Sequence, residues 1–110
     1  MNITTEKIDG ITVVRLAGDL DTNTSTGAQD TIEEIIDGGA TNMLVNLKEV
    51  GFVSSAGLRI LLAAAKKINR LDGKLRISDL NETVQEVFEI SGFITILKVF
   101  PTEEAALQDA

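Results

Sequence analysis

The sequence predicts an α/β fold with a mixed, largely parallel central sheet of about five strands flanked by about four helices. Short β-branched or apolar runs alternate with stretches whose apolar residues recur at helical spacing, the pattern of strands joined by helical crossovers. The first two runs are separated only by Asp9-Gly10, a hairpin dipeptide, so one antiparallel strand precedes the parallel ones. At 110 residues the chain has room for one domain, residues 1–110, able to take roughly two-thirds of its unfolded surface out of water.

Residues 3–8 and 11–16 are the hairpin strands. After Gly18-Asp19-Leu20-Asp21 and a polar Thr/Ser stretch, Ala28, Ile32, Ile35 and Ile36 mark an amphipathic helix that ends at Gly38-Gly39. Leu20 is expected to pack inward between its two acids. Residues 43–47 form a short apolar run suited to a strand buried in mid-sheet, followed by a loop over residues 48–54. From Ser55, the stripe Leu58, Leu61, Leu62, Ala65 and Ile68 predicts a helix closed near Leu71-Asp72-Gly73, with Ser54 or Ser55 as N-cap. Residues 74–78 alternate as a strand. Asn81 or Thr83 can cap a helix carrying Val84, Val87 and Phe88 to a stop at Gly92, and Thr83-Val84-Gln85-Glu86 matches a capping box. Residues 95–100 read as the last strand. Beyond Pro101, residues 102–107 predict a short helix with acids in its first turn, giving the order β-β-α-β-α-β-α-β-α.

Composition narrows the function. A net charge of −7 argues against nucleic acid and anionic membranes, both of which attract Lys and Arg clusters, and favours a protein partner with a basic patch. Histidine and cysteine are absent, which removes the commonest general base, the thiol nucleophile and the usual zinc ligands. Neither the dinucleotide nor the triphosphate glycine spacing occurs, so no nucleotide cofactor is implied. No stretch is apolar enough to enter a membrane, and the first residues lack the basic-then-apolar pattern of a secretory signal, so the cytoplasm is the expected location. These exclusions favour a binding protein over an enzyme, with no catalytic or metal-ligating residue to nominate.

In such sheets functional loops gather at the carboxyl ends of the strands, which directs attention to residues 18–24 and 48–55. Phe52-Val53-Ser54-Ser55-Ala56-Gly57-Leu58-Arg59 places two hydroxyls at the start of a helix. Either serine can cap it; equally, the free amides and dipole of a helix N-terminus suit a phosphate on Ser55, with Arg59 one turn on as a possible contact. A nucleophile-elbow reading is weak and is set aside, because the first glycine of that motif and any histidine base are missing. Asp19 and Asp21 fit turn chemistry or, less often, a metal or acid/base pair. Glu33-Glu34 and Lys66-Lys67 fit solvated helix faces.

These residues resemble the STAS domain shared by bacterial anti-sigma factor antagonists and the tails of sulphate transporters. Residues 13–21 are similar to the family's second strand and Gly-acid-apolar-Asp loop, residues 46–58 to its strand, loop and phosphoacceptor signature, and residues 80–100, with Val84, Val87, Phe88, Gly92 and Phe93, to its third helix and last strand. The resemblance implies that Ser55, before Ala56-Gly57-Leu58, is phosphorylated by a partner anti-sigma factor that is also a serine kinase. It further implies that the unmodified chain binds that partner and so frees a sigma factor, that phosphorylation ends the binding, and that a phosphatase restores it. Many members carry Asp where this chain has Ser54, which makes Ser54 an alternative acceptor. The implied partner surface is Asp19, Asp21, Thr22, Asn23, Ser54, Ala56, Gly57 and Arg59. A second implication is a subunit of a membrane transport complex that is not phosphorylated.

Overall fold

Asp9 and Gly10 take φ of 51° and 81°, the left-handed pair a two-residue hairpin requires, and β1 (Asn2–Ile8) folds back antiparallel onto β2 (Ile11–Ala17). The structure, a computed structural model, describes residues 1–109. From β2 onward every connection is helical. Helix α1 (Ser25–Asp37) leads to β3 (Asn42–Glu49), α2 (Ser55–Arg70) to β4 (Lys74–Ser78), and α3 (Glu82–Ser91) with a 3-10 turn (Phe93–Thr95) to β5 (Lys98–Phe100), before α4 (Glu103–Leu107). The sheet order is β1-β2-β3-β4-β5, with β2 through β5 parallel. The mixed, largely parallel sheet expected from the sequence is the one the chain forms.

Strand neighbours follow chain order, so right-handed crossovers stepping one way bring α1, α2 and α3 to the same face. There Val14, Leu16, Met43, Val45, Leu47 and Ile77 bury against Ile32, Ile36, Leu61, Ile68, Val84 and Phe88. Period-two alternation sends the intervening residues to the other face, where Ile11, Val13 and Leu44 form a smaller cluster with Ala106 of α4.

That second face is polar at its centre. Arg15 donates through Nε and Nη2 to the two carboxylate oxygens of Glu103, at 3.1 and 3.0 Å, and through Nη1 to Glu6 at 2.8 Å. Asn46 donates a further bond to Glu103, at 2.9 Å. Arg76, only 1% exposed, donates to the Asp109 carbonyl and to Asn42, while Lys74 pairs with the Asp109 carboxylate at 2.6 Å. Two ionic clamps therefore hold a helix of five residues that has little apolar surface to hold itself.

Several local expectations are corrected. The last strand begins at Lys98 rather than residue 95, because the amides of Thr95, Ile96 and Leu97 turn back onto the Gly92 and Phe93 carbonyls and cannot pair with β4. Helix α3 is capped by Asn81, which accepts from the Val84 amide at 2.7 Å; Thr83 lies inside the helix, so its capping box does not form. Helix α1 starts at Ser25, one turn ahead of its apolar stripe. At the end of α2 the left-handed residue is Asp72, at φ 57°. Gly73 is needed for a different reason, since a Cβ there would collide with the Thr41 backbone.

The Arg15 guanidinium holds the Glu103 carboxyl below its ordinary value of 4.5, against the opposing effect of burial and with help from Asn46. A folded value below the unfolded one contributes stability that is complete above the unfolded value and is lost as pH falls through the folded one. Denaturant melts from neutral pH downwards should show stability falling below about pH 4.5, with a shallower fall in Glu103→Gln. Parallel curves for the two proteins would show that this clamp adds nothing.

Candidate functional site

The loops after β2 and β3 are zipped together past the ends of their strands. A bulge interrupts the β2–β3 ladder after Arg15, and pairing then resumes irregularly. The Gly18 amide donates to the Glu49 carbonyl at 3.0 Å, the Leu20 amide to the Phe52 carbonyl at 2.9 Å, and the Ser54 amide to the Leu20 carbonyl at 2.9 Å. Leu20 and Val53 form a one-residue parallel bridge, and both are fully buried, so Leu20 packs inward as expected.

Helix α2 starts directly against this bridge. A Cβ on Gly57 would lie 2.5 Å from the Leu20 carbonyl oxygen and 2.9 Å from its Cγ, so the first turn of α2 can approach only because residue 57 has no side chain. Asn81 fastens the loop from the other side. Its amide donates to the Val50 and Gly51 carbonyls at 3.3 and 3.2 Å while its oxygen caps α3.

The two serines separate cleanly on this frame. Ser54 is the N-cap of α2: its backbone is extended, its Oγ accepts from the Gly57 amide at 3.3 Å, and it is half-buried. Ser55 is therefore the first helical residue and not the cap. Its side chain is exposed, and among the described residues no hydrogen bond engages its hydroxyl. Ala56 is half-buried and Gly57 buried, whereas Arg59 is exposed four residues after Ser55, on the same side of the helix.

The two acids separate as well. Asp21 Oδ1 accepts from the Asn23 and Thr24 amides at 2.9 and 3.2 Å, and the Asp21 amide donates to Thr24 Oγ1 at 3.0 Å. This reciprocal turn launches α1, so Asp21 is occupied by turn chemistry. Asp19 is exposed, with its carboxylate against Gly51, and Thr22 and Asn23 are exposed beside it. Among the described residues no cluster of acids is arranged to hold a metal ion.

An open cleft of about 780 Å³ lies at the opposite end of the sheet, and its Lys74 and Arg76 are engaged by Asp109. The candidate residues of the sequence, Asp19 to Asn23 and Ser54 to Arg59, lie at the loop rim and do not line this cleft. Two rim residues have features that the sequence pattern does not single out, although Phe52 lies within the loop over residues 48–55 that the sequence points to. Asn81 was expected only as a cap, and no sequence signal tells that its second group reaches back to another loop. Phe52 did carry a signal, an aromatic residue inside a loop.

The family model of the STAS domain matches residues 2–106. Over 106 residues the chain is 35% identical to BtrV of Bordetella bronchiseptica, covering 96% of this chain and 91% of that protein. It is 30% identical over 110 residues to the anti-sigma F factor antagonist of Paenibacillus polymyxa, covering 99% and 94%. The anti-sigma factor antagonist SpoIIAA in its unphosphorylated form superposes with a TM-score of 0.80 at 26% identity, covering 96% of this chain and 93% of that one. Bacillus SpoIIAA in its phosphorylated form superposes with a TM-score of 0.71 at 25% identity, covering 96% of each.

The close approach at Gly57 yields a direct expectation. Gly57→Ala must push α2 off Leu20 or break the loop bridge, and overpacking of this kind costs about 1–3 kcal/mol. Urea unfolding measures it; a loss no greater than that of an exposed Gly→Ala change would mean the approach is not tight.

Proposed function

This chain belongs to the STAS domain family, and on that premise we propose that it is an anti-sigma factor antagonist switched by phosphorylation of Ser55. Unmodified, it binds an anti-sigma factor that is also a serine kinase and so releases a sigma factor in the cytoplasm. Phosphate on Ser55 ends the binding, and a phosphatase restores it. The chain itself is a binding protein and not an enzyme. The names of its relatives support the general role, and the serines support the site.

The observation that carries the assignment is the division of labour between Ser54 and Ser55. A hydroxyl that caps a helix is held by the backbone and shielded, whereas the one beside it faces solvent at the tip of a fixed rim. A kinase can reach the second without unravelling the helix.

The same position explains why modification leaves the fold intact. Phosphate adds about −1.5 to −2 charges at the first residue of α2, where free amides and the helix dipole favour an anion. The cost falls instead on the complex. A partner surface shaped for a neutral hydroxyl meets a dianion that must be desolvated, and unpaired or like-charge placements in an interface cost several kcal/mol.

Ser55→Asp should bind the anti-sigma factor weakly while melting close to wild type, and Ser55→Ala should bind constitutively with almost no loss of stability. Ser54→Ala should behave in the opposite way, losing about 1 kcal/mol of cap energy while still accepting phosphate at Ser55. Calorimetric titration, thermal melts and mass spectrometry of the phosphorylated chain measure all three. Tight binding by Ser55→Asp, with phosphate on Ser54 or nowhere, would overturn the switch and leave the transport-complex subunit as the better reading.

A further inference from the structure

The rim carries an exposed aromatic ring that the serine switch does not use. The chain has four phenylalanines and no tyrosine or tryptophan. Phe88 is fully buried and Phe93 and Phe100 are half-buried, yet Phe52 is 43% exposed, two residues before Ser54. Single exposed apolar residues are ordinary on protein surfaces, so exposure alone would mean little. What sets Phe52 apart is its mounting.

Its carbonyl accepts the Leu20 amide, and the Val50 and Gly51 carbonyls before it accept Asn81. The side chains of Val50 and Val53, on either side of Gly51-Phe52, are 1% and 0% exposed. The loop is thus pinned inward at both ends and bonded from both flanks, which fixes the backbone that carries the ring. The other large exposed apolar residues within the elements and their turns, Leu71, Ile90 and Ile96, lie elsewhere: after α2, on α3 and before β5.

We propose that Phe52 is an anchor that inserts into an apolar pocket of the anti-sigma factor. This rests on the antagonist reading above. The occupant follows from continuity: Phe52 and Ser54 share one loop, so a protein whose active site covers Ser55 also covers the ring. An aromatic residue on a rigid mount offers large apolar area with little conformational entropy left to lose, the combination that marks residues dominating an interface. Because the anchor docks the chain without touching the phosphoryl transfer, it acts on binding of Ser55 as a substrate and not on the chemical step.

The experiment uses the full chain and the anti-sigma factor kinase that binds the wild type. Phe52→Ala and Phe52→Gln should each bind at least about tenfold more weakly, since anchor residues of this kind cost more than 1.4 kcal/mol when truncated. In phosphorylation kinetics both should raise KM for Ser55 and leave kcat near wild type. Thermal melts accompany each variant, and Phe52→Gln, which keeps the length of the side chain, decides the matter if the alanine variant is unfolded. Affinity within about threefold of wild type for a folded variant would overturn the anchor while leaving the antagonist reading intact. Failure of the wild-type chain to bind any anti-sigma factor would overturn both.

Discussion

Leu20 holds together the rim formed by the loops after β2 and β3. Its amide and carbonyl reach across to Phe52 and Ser54, and its side chain lies beneath the first turn of α2. Two backbone bonds of this kind contribute little on their own, roughly 0.5–1.5 kcal/mol each. Their weight comes from burial, because Leu20 is completely enclosed and any opening of the pair exposes its side chain and two unpaired backbone groups. The bridge extends the parallel pairing of β2 and β3 past the bulge, so the loops inherit the stiffness of the sheet. Gly57 then lets α2 start at the closest possible distance, which fixes where Ser54 and Ser55 stand.

Much of this was legible in the sequence, and the parts that were not share a cause. Period-two and helical spacing placed the hairpin, the buried strand at residues 43–47 and the core faces of α1, α2 and α3, because those patterns report burial directly. Leu20 was legible too, as an apolar residue between two acids. The choice between Ser54 and Ser55 as cap was not, since adjacent hydroxyls satisfy the same one-dimensional pattern and only the φ and ψ of Ser54 decide it. The last strand was overextended for a related reason: residues 95–97 are β-branched or apolar, but after the left-handed Gly92 a 3-10 turn over Phe93–Thr95 takes up their amides. Asn81 as a tie to the β3 loop depends on a contact thirty residues away, which no local pattern records.

The two faces of the sheet are stabilised in different ways. On the helix face the chain buries a continuous apolar core under α1, α2 and α3, which is insensitive to salt and pH. On the other face α4 is secured mainly by Arg15 with Glu103 and by Arg76 and Lys74 with Asp109, groups whose attraction depends on ionisation. The rim bearing Ser55 rests on the first kind of support. On the proposed reading, charge added at Ser55 is therefore applied where the structure does not rely on charge, and its effect falls on the docked partner.

On the proposed reading, the rim is a rigid platform whose surface chemistry changes while its frame does not. Native-state hydrogen exchange on the unmodified and the Ser55-phosphorylated chain tests this most directly, through the Leu20 and Ser54 amides that close the frame. Both amides should be protected to nearly the level of the β3 amides, and phosphorylation should leave them unchanged. Exchange at the rate of an open loop, or a loss of protection confined to these two amides on phosphorylation, would contradict it.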